Sequence, residues 1–210
     1  RGDGLTTAAA LARERIGLEL YPGADAHLGP CMAERIRSGE VCTVADRSRH
    51  LLLELPGHFL PEAVQEEIFT LRMSGITAIV THPERNPAIQ RDPGDLRGLV
   101  RVGALSQVTA MSLTGGFGRR ARAAAASLLA QRLVHVIATD AHSPVRRPAL
   151  LAAAVEAAAE ILGDRGEAER MVTATPAAIL EGRAPDVPEP APPRRAPGFF
   201  RRVGRISTRL

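Results

Sequence analysis

Four strand-like segments of this 210-residue chain run into side chains that bind metals or move protons. The clearest is Ile76-Thr77-Ala78-Ile79-Val80-Thr81-His82-Pro83-Glu84-Arg85-Asn86. An apolar, β-branched run bounded by Gly75 reads as a buried strand. Pro83 cannot continue a ladder and keeps its neighbour extended. The strand therefore stops and delivers an imidazole, a carboxylate and a guanidinium at its C-terminal lip. Leu133 to His142 repeats the pattern, an apolar strand ending in Asp140 and His142. Leu51-Leu52-Leu53-Glu54-Leu55-Pro56 offers Glu54 before a proline, and Asp25 follows Leu18-Glu19-Leu20-Tyr21 and a Pro22-Gly23 turn. In barrels and open α/β sheets, sites are built at the C-terminal ends of parallel strands. One histidine after a strand is ordinarily a hydrogen-bonded loop residue. Two strand-end clusters of His, Asp and Glu are the pattern expected of a metal or acid/base centre. Carboxylates and imidazoles without thiolates suit Mn2+, Fe or Zn2+ and disfavour a structural zinc.

The other candidates carry less. His135 lies mid-strand and is expected to pack or bond internally, and His50, just before a strand, is expected to be exposed. His27 and His58 lie near the proposed ligands and are weaker candidates. Cys31 and Cys42 are eleven residues apart with no CxxC partner, and neither sits in the Arg- and Gly-rich loop that a cysteine-nucleophile phosphatase needs. Gly115-Gly116-Phe117-Gly118 precedes a helix, yet it has neither the lysine-containing phosphate-loop spacing nor the dinucleotide fingerprint.

The elements that must position these residues alternate. Strands are expected at 18–21, 51–56, 76–82, 105–109 and 133–139. Helices are expected over 5–16, 30–39, 61–74, 95–101, 119–132 and 148–162, with short ones near 166–173 and 176–181. That rhythm argues for βα units around a parallel sheet or barrel, and five strands are too few for an eight-stranded barrel. One domain over 1–183 fits the length. Residues 184–210 form a Pro/Arg-rich basic tail expected to be disordered and held off the core by its prolines. Its six Arg against Asp186 and Glu189 supply the whole net charge of +4, leaving a neutral body. All basic residues are Arg, and none cluster with aromatics in the body, so a nucleic-acid-binding body is not expected. Phe199 to Leu210 mixes Arg with large apolar residues, a pattern suited to weak contact with an anionic membrane surface. Twelve residues seldom hold a helix alone, however. With no long apolar run and no signal peptide, a cytoplasmic protein is expected. Nothing in the sequence bears on oligomeric state.

Taken in order and spacing, Pro22-Gly23-Ala24-Asp25, Leu53-Glu54-Leu55-Pro56, Thr81-His82-Pro83-Glu84-Arg85 and Thr139-Asp140-Ala141-His142 resemble a known family. It is the bacterial capsule/exopolysaccharide tyrosine-protein phosphatases of the PHP (polymerase and histidinol phosphatase) superfamily. Ser112 to Gly118 also resembles that family's loop and following helix, and the likeness runs from about residue 10 to 181. It implies a distorted (β/α)7 barrel with up to three metals, often manganese, at the C-terminal strand ends. It also implies a substrate, the phosphotyrosine tail of the bacterial tyrosine kinase (polysaccharide co-polymerase) that regulates polysaccharide export. By the same resemblance Asp25 stands in place of a metal-bridging Glu, with an arm one methylene shorter. Glu54 and His82 match ligands of the second metal, Asp140 one of the first and His142 one of the third. Arg85 and Arg147 match arginines that hold the phosphate, a bidentate task suited to planar guanidinium, and Glu84 is expected to orient rather than act as the acid. The family's opening HxH, Asp-Asp-Gly segment and next strand-end His have no counterpart here. The chain is therefore expected to lack about two initial βα units and to keep only the second metal's ligand set, Asp25/Glu54/His82. The expected function is a metal-dependent phosphomonoesterase. Other readings stay open: a catalytically degenerate phosphotyrosine-binding regulatory module or inactive fragment, or an enzyme for small esters such as histidinol phosphate. The His82-Pro83-Glu84-Arg85 block and the 112–118 loop favour the tyrosine phosphatase branch.

Overall fold

The computed structural model describes residues 14–15, 17–58 and 61–192. Within them five strands form one parallel sheet in chain order: β1 (Asp25–His27), β2 (His50–Glu54), β3 (Thr77–Thr81), β4 (Leu105–Thr109) and β5 (Val136–Ala138). Register pairs Ala26 with Leu53, Leu53 with Val80, Val80 with Ser106 and Val108 with Ile137. Parallel neighbours need a crossover, and helices supply it, including Pro61–Met73 between β2 and β3 and Gly118–Ala130 between β4 and β5.

Strand alternation sends the two faces of this sheet to different ends. Leu51, Leu53, Ala78, Val80, Val108 and Ile137 join one core with helix residues such as Ile68, Leu71, Leu99, Leu128 and Ala158. The opposite face holds a smaller cluster of Ile79, Leu105, Val136 and Ile179, with Leu52 and Val187 against it. Helix packing thus dominates one face. The residues in register with Leu52 and Ile79 along the other face lead to Asp25, Glu54 and Thr81.

Two expectations are corrected. The first strand is not 18–21, whose Leu18, Leu20 and Tyr21 are exposed. It is Asp25–His27, selected by its ladder to Leu52–Glu54. Asp25 opens this strand instead of following one, and His27, two residues on, shares its face. His50 is not exposed: it begins β2 opposite Thr77 and is 3% accessible. Burial and the neighbouring Arg49 push its pKa down, partly offset by a hydrogen bond with Ile179.

The Glu14–Arg15 pair is helical; the rest of the expected 5–16 helix and the tail from residue 193 lie outside the described residues. The first prolines of the tail behave differently from the expectation that they keep the chain off the body. Val187 packs on the smaller cluster. Ala191 donates to the carbonyl of Gln131 at 2.9 Å and accepts from Arg97 at 2.7 Å. Extended backbone leaves the Ala191 amide and carbonyl free, and Gln131 at the end of the Gly118–Ala130 helix and Arg97 of the Pro93–Arg101 helix use them. Short helices at Pro87–Arg91 and Ala110–Thr114 were not anticipated; Pro87 and the Asn86 side chain, which caps Ala88 at 2.9 Å, start the first. Among the described residues, no helix is long and apolar enough to cross a membrane, and both cysteines are free.

His135 meets its expectation of internal bonding. It is 3% accessible, and its Nδ1 accepts the Ser106 amide at 2.9 Å. Burial drives its pKa down to about 4. A folded pKa below the unfolded value means the unfolded chain binds the proton first. The resulting stability is complete above about pH 6.5 and is lost as pH falls toward about 4, about 3 kcal/mol across that window. We expect urea-unfolding stability to fall between about pH 6.5 and pH 4.5, and the fall to shrink in His135→Gln.

A metal-type cluster beside a pair of arginines

Side chains from the start of β1, the end of β2 and the residue after β3 converge in one cluster. Among the described residues, Asp25, Glu54 and His82 form a group whose ligand atoms all lie within 4.8 Å of one another. His82 Nε2 stands 3.5 Å from Asp25 Oδ2 and 3.6 Å from Glu54 Oε1. Two carboxylates held this close repel unless a cation lies between them, so the set fits a divalent metal, with oxygen and imidazole donors of the type Mn2+, Fe and Zn2+ accept. His27 Nδ1 lies 3.3 Å from the other oxygen of Glu54, at the exposed edge.

Supporting contacts fix these ligands. Thr81 donates to Asp25 Oδ1 at 3.0 Å, an orienting bond from the strand that carries His82. His82 itself turns left-handed, with φ 35° and ψ 47°, so the chain leaves β3 sharply into the Pro83–Arg85 3-10 turn. Asn86 then ties that turn to the end of β2, donating to the Pro56 carbonyl at 2.9 Å. Glu84 anchors it beneath: fully buried, its Oε1 accepts from Ser112 Oγ at 2.6 Å and from the Thr109 amide at 3.2 Å. Burial raises the Glu84 pKa, with these hydrogen bonds and the Arg85 charge pulling the other way. These contacts tie the Pro83–Arg85 turn to Thr109 and Ser112.

Arg85 emerges from the same turn as His82. Its Nη2 lies 3.4 Å from Asp140 Oδ2, and Arg147 donates to that same oxygen. Both guanidinium groups stand over the Phe117 ring, 5.0 and 5.3 Å from its centre, a cation–π contact. The Gly-rich loop explains how Phe117 gets there. Gly115 and Gly118 adopt φ 92° and 87°, a tight turn that L-residues resist. This turn presents the Phe117 ring to both arginines. The Nε atoms of Arg85 and Arg147 are buried without partners. Two buried donors on adjacent cations are an unmet demand for anionic oxygens.

Asp140, with φ 49°, occupies a second left-handed strand end; such strain costs roughly 1–2 kcal/mol each and concentrates at functional sites. The structure places Asp140 with the arginines and not within the Asp25/Glu54/His82 group. His142 Nδ1 lies 2.8 Å from the Asp140 carbonyl, and its side chain is largely exposed. His58 lies away from the three ligands, in a neighbouring groove. Thr81, Asn86 and Phe117 are the contributors that sequence reasoning missed. Phe117 alone had a local signal, its place inside the Gly-rich loop.

Glu54, His82 and Arg85 line one cavity of about 360 Å3. Fold and site together define a parallel α/β protein with a carboxylate–histidine cluster of metal-binding type next to two arginines whose Nε atoms are buried without partners. The family model for capsular polysaccharide synthesis, CpsB/CapC, matches residues 5–181, and the chain belongs to that family. It is 37% identical over 138 residues to CapC of Staphylococcus aureus, covering 66% of this chain and 54% of that protein. It is 31% identical over 133 residues to the tyrosine-protein phosphatase YwqE of Bacillus subtilis, 63% of this chain and 52% of YwqE. The chain thus spans about half the length of these curated relatives. A crystal structure from the pair YwqE of Bacillus subtilis and CpsB of Streptococcus pneumoniae, described as metal-dependent tyrosine phosphatases, superposes with a TM-score of 0.81 at 27% identity. That match covers 91% of this chain and 78% of the other.

Proposed function

We propose that this chain acts as a metal-dependent protein-tyrosine phosphatase on the phosphorylated tail of a tyrosine kinase (a polysaccharide co-polymerase) that governs capsular or exopolysaccharide synthesis. One observation carries the reading. A single 3-10 turn sets a metal-type ligand, His82, and a guanidinium with a buried, unpartnered Nε, Arg85, on the wall of one cavity. The names of YwqE and CpsB support it.

Asp25, Glu54 and His82 would hold the metal, for which Mn2+ is the proposed ion because the donors are two hard carboxylates and one imidazole. When bound, a divalent cation acidifies water and offsets phosphoryl charge. The protein's own residues do the rest. Arg85 and Arg147 direct their free Nε–H groups at the phosphate and stabilise the charge that grows on its oxygens. Asp140, bonded to both arginines, and Phe117, beneath both, keep the two guanidinium planes in place. Thr81 aims the Asp25 carboxylate, and Glu84 fixes the turn. A covalent cysteine intermediate is not required, and neither free thiol lines this cavity.

On the family likeness Asp140 and His142 are proposed to contribute to further metal positions. The one-way strand order, with helices dominating one face, supports the distorted (β/α)7 barrel of PHP type as the architecture to which this sheet belongs. Free thiols suit a reducing compartment, and the cytoplasm is the proposed location.

The test is hydrolysis of p-nitrophenyl phosphate and of a phosphotyrosyl peptide by chelator-stripped chain, before and after Mn2+ is returned. Turnover of both that depends on Mn2+ is expected. Binding of phosphotyrosine without any turnover would replace the enzyme by a phosphotyrosine-binding module.

A further inference from the structure

A second cavity, of about 590 Å3, lies against the first, with Pro87 and Ile89 lining both. Its floor is apolar and small, formed by residues such as Pro93 and Ala123, while Arg91 and Arg120 supply its charge and His58 a polar side chain. Among the described residues, no carboxylate lines it. Arg91 is partly engaged, since it lies in the field of Asp95. Arg120 is not: it is exposed and has no ion-pair partner among the described residues.

Helix stability does not account for that arginine. The Gly118–Ala130 helix opens with Arg119, Arg120 and Arg122, all exposed, and has no acidic residue in its first turn. Cations at this end oppose the helix dipole, and no local carboxylate compensates. The same helix begins immediately after Phe117, so the cationic rim is continuous with the ring under Arg85 and Arg147.

We propose that this groove is a docking surface for acidic residues flanking the phosphotyrosine of the substrate. Glutamate or aspartate side chains within a few residues of the phosphotyrosine pair with Arg120 and Arg91, and His58 offers them a further hydrogen-bonding partner. The apolar floor receives the backbone between them. The inference deepens the phosphatase reading and rests on it only for the seat of the phosphotyrosine in the adjoining cavity. Charge complementarity of this kind chiefly sets specificity and association rate.

The test is fluorescence-anisotropy titration of the whole chain, with Mn2+ present, using two labelled phosphotyrosyl peptides. One carries glutamates on both sides of the phosphotyrosine; the other has glutamines in their place. The glutamate peptide is expected to bind roughly three- to tenfold more tightly, with the gap closing as salt is raised. In R120E the preference is expected to vanish or reverse, and in the milder R120Q to shrink, with thermal melting used to confirm that both variants fold. The unphosphorylated versions of the two peptides isolate the groove, because they do not use the phosphate seat. Equal affinities within both peptide pairs would overturn the groove while leaving the phosphatase reading standing. A glutamate preference that persists unchanged in R120E would overturn it as well. Discrimination between the unphosphorylated peptides, with no gain from phosphorylation, would instead sink the phosphotyrosine seat and keep the groove.

Discussion

Arg85→Ala and Arg147→Ala are each expected to lower kcat/KM for phosphate esters by roughly 100- to 1,000-fold, the usual effect of deleting one preorganised donor to developing charge. The expectation rests on the shared geometry of the pair. Each guanidinium has a buried Nε without a partner, each contacts Asp140, and each stands over Phe117. Removing one leaves Asp140 paired with the other, so the loss should fall on catalysis and not on folding. Arg85→Lys should rescue little, because an ammonium is a point charge without the planar fork that addresses two phosphate oxygens. Steady-state kinetics with p-nitrophenyl phosphate, beside thermal melting, checks both halves. Variants within a few-fold of the parent would remove the arginines from the site.

His82→Ala carries the second large effect. His82 approaches both carboxylates of the cluster, at 3.5 and 3.6 Å, so its loss takes one of three donors and leaves two like charges facing each other. Disturbing even outer-shell partners commonly weakens metal binding by about 10- to 100-fold; loss of a direct ligand should exceed about 100-fold. Calorimetric titration of Mn2+ reads this without any need for turnover. An unchanged affinity would mean that the metal binds elsewhere.

Much of this was legible because prolines punctuate the strands. Pro83 after His82 and Pro56 after Glu54 marked where ladders stop, and side chains at such ends become available for chemistry. The strand at Leu105–Thr109 was readable residue for residue from its composition. The first strand was not. Leu18-Glu19-Leu20-Tyr21 alternates convincingly, whereas Asp25-Ala26-His27 has almost no strand propensity. Pairing with Leu52–Glu54 decided the matter, and pairing is not a local property. His50 failed for the same reason, since its burial comes from Thr77 across the ladder and from the chain near Ile179.

The candidate site shows the same division. Residue types at strand ends pointed to Asp25, Glu54 and His82, and the fold brings these three together. Their supports were hidden by distance along the chain: Thr81 reaches Asp25 across 56 residues, and Asn86 reaches Pro56 across 30. Phe117 sat in view inside its glycine loop, but its use as a shared platform for Arg85 and Arg147 needed three elements in space. A threonine or phenylalanine has no chemistry of its own that would single it out. Only its neighbours give it a role.

In the proposed mechanism the three-ligand cluster and the two arginines act on one phosphate. The most direct measurement is calorimetric titration of inorganic phosphate into the chain with and without Mn2+. If both groups hold the same anion, their binding is linked, and each must tighten the other by the same factor. Clearly stronger phosphate binding is expected with Mn2+ present, with the gain lost in His82→Ala and the binding itself lost in Arg85→Ala. Phosphate affinity that is indifferent to the metal would contradict it, and would separate the metal-type cluster from the arginine pair as two unrelated features of the fold.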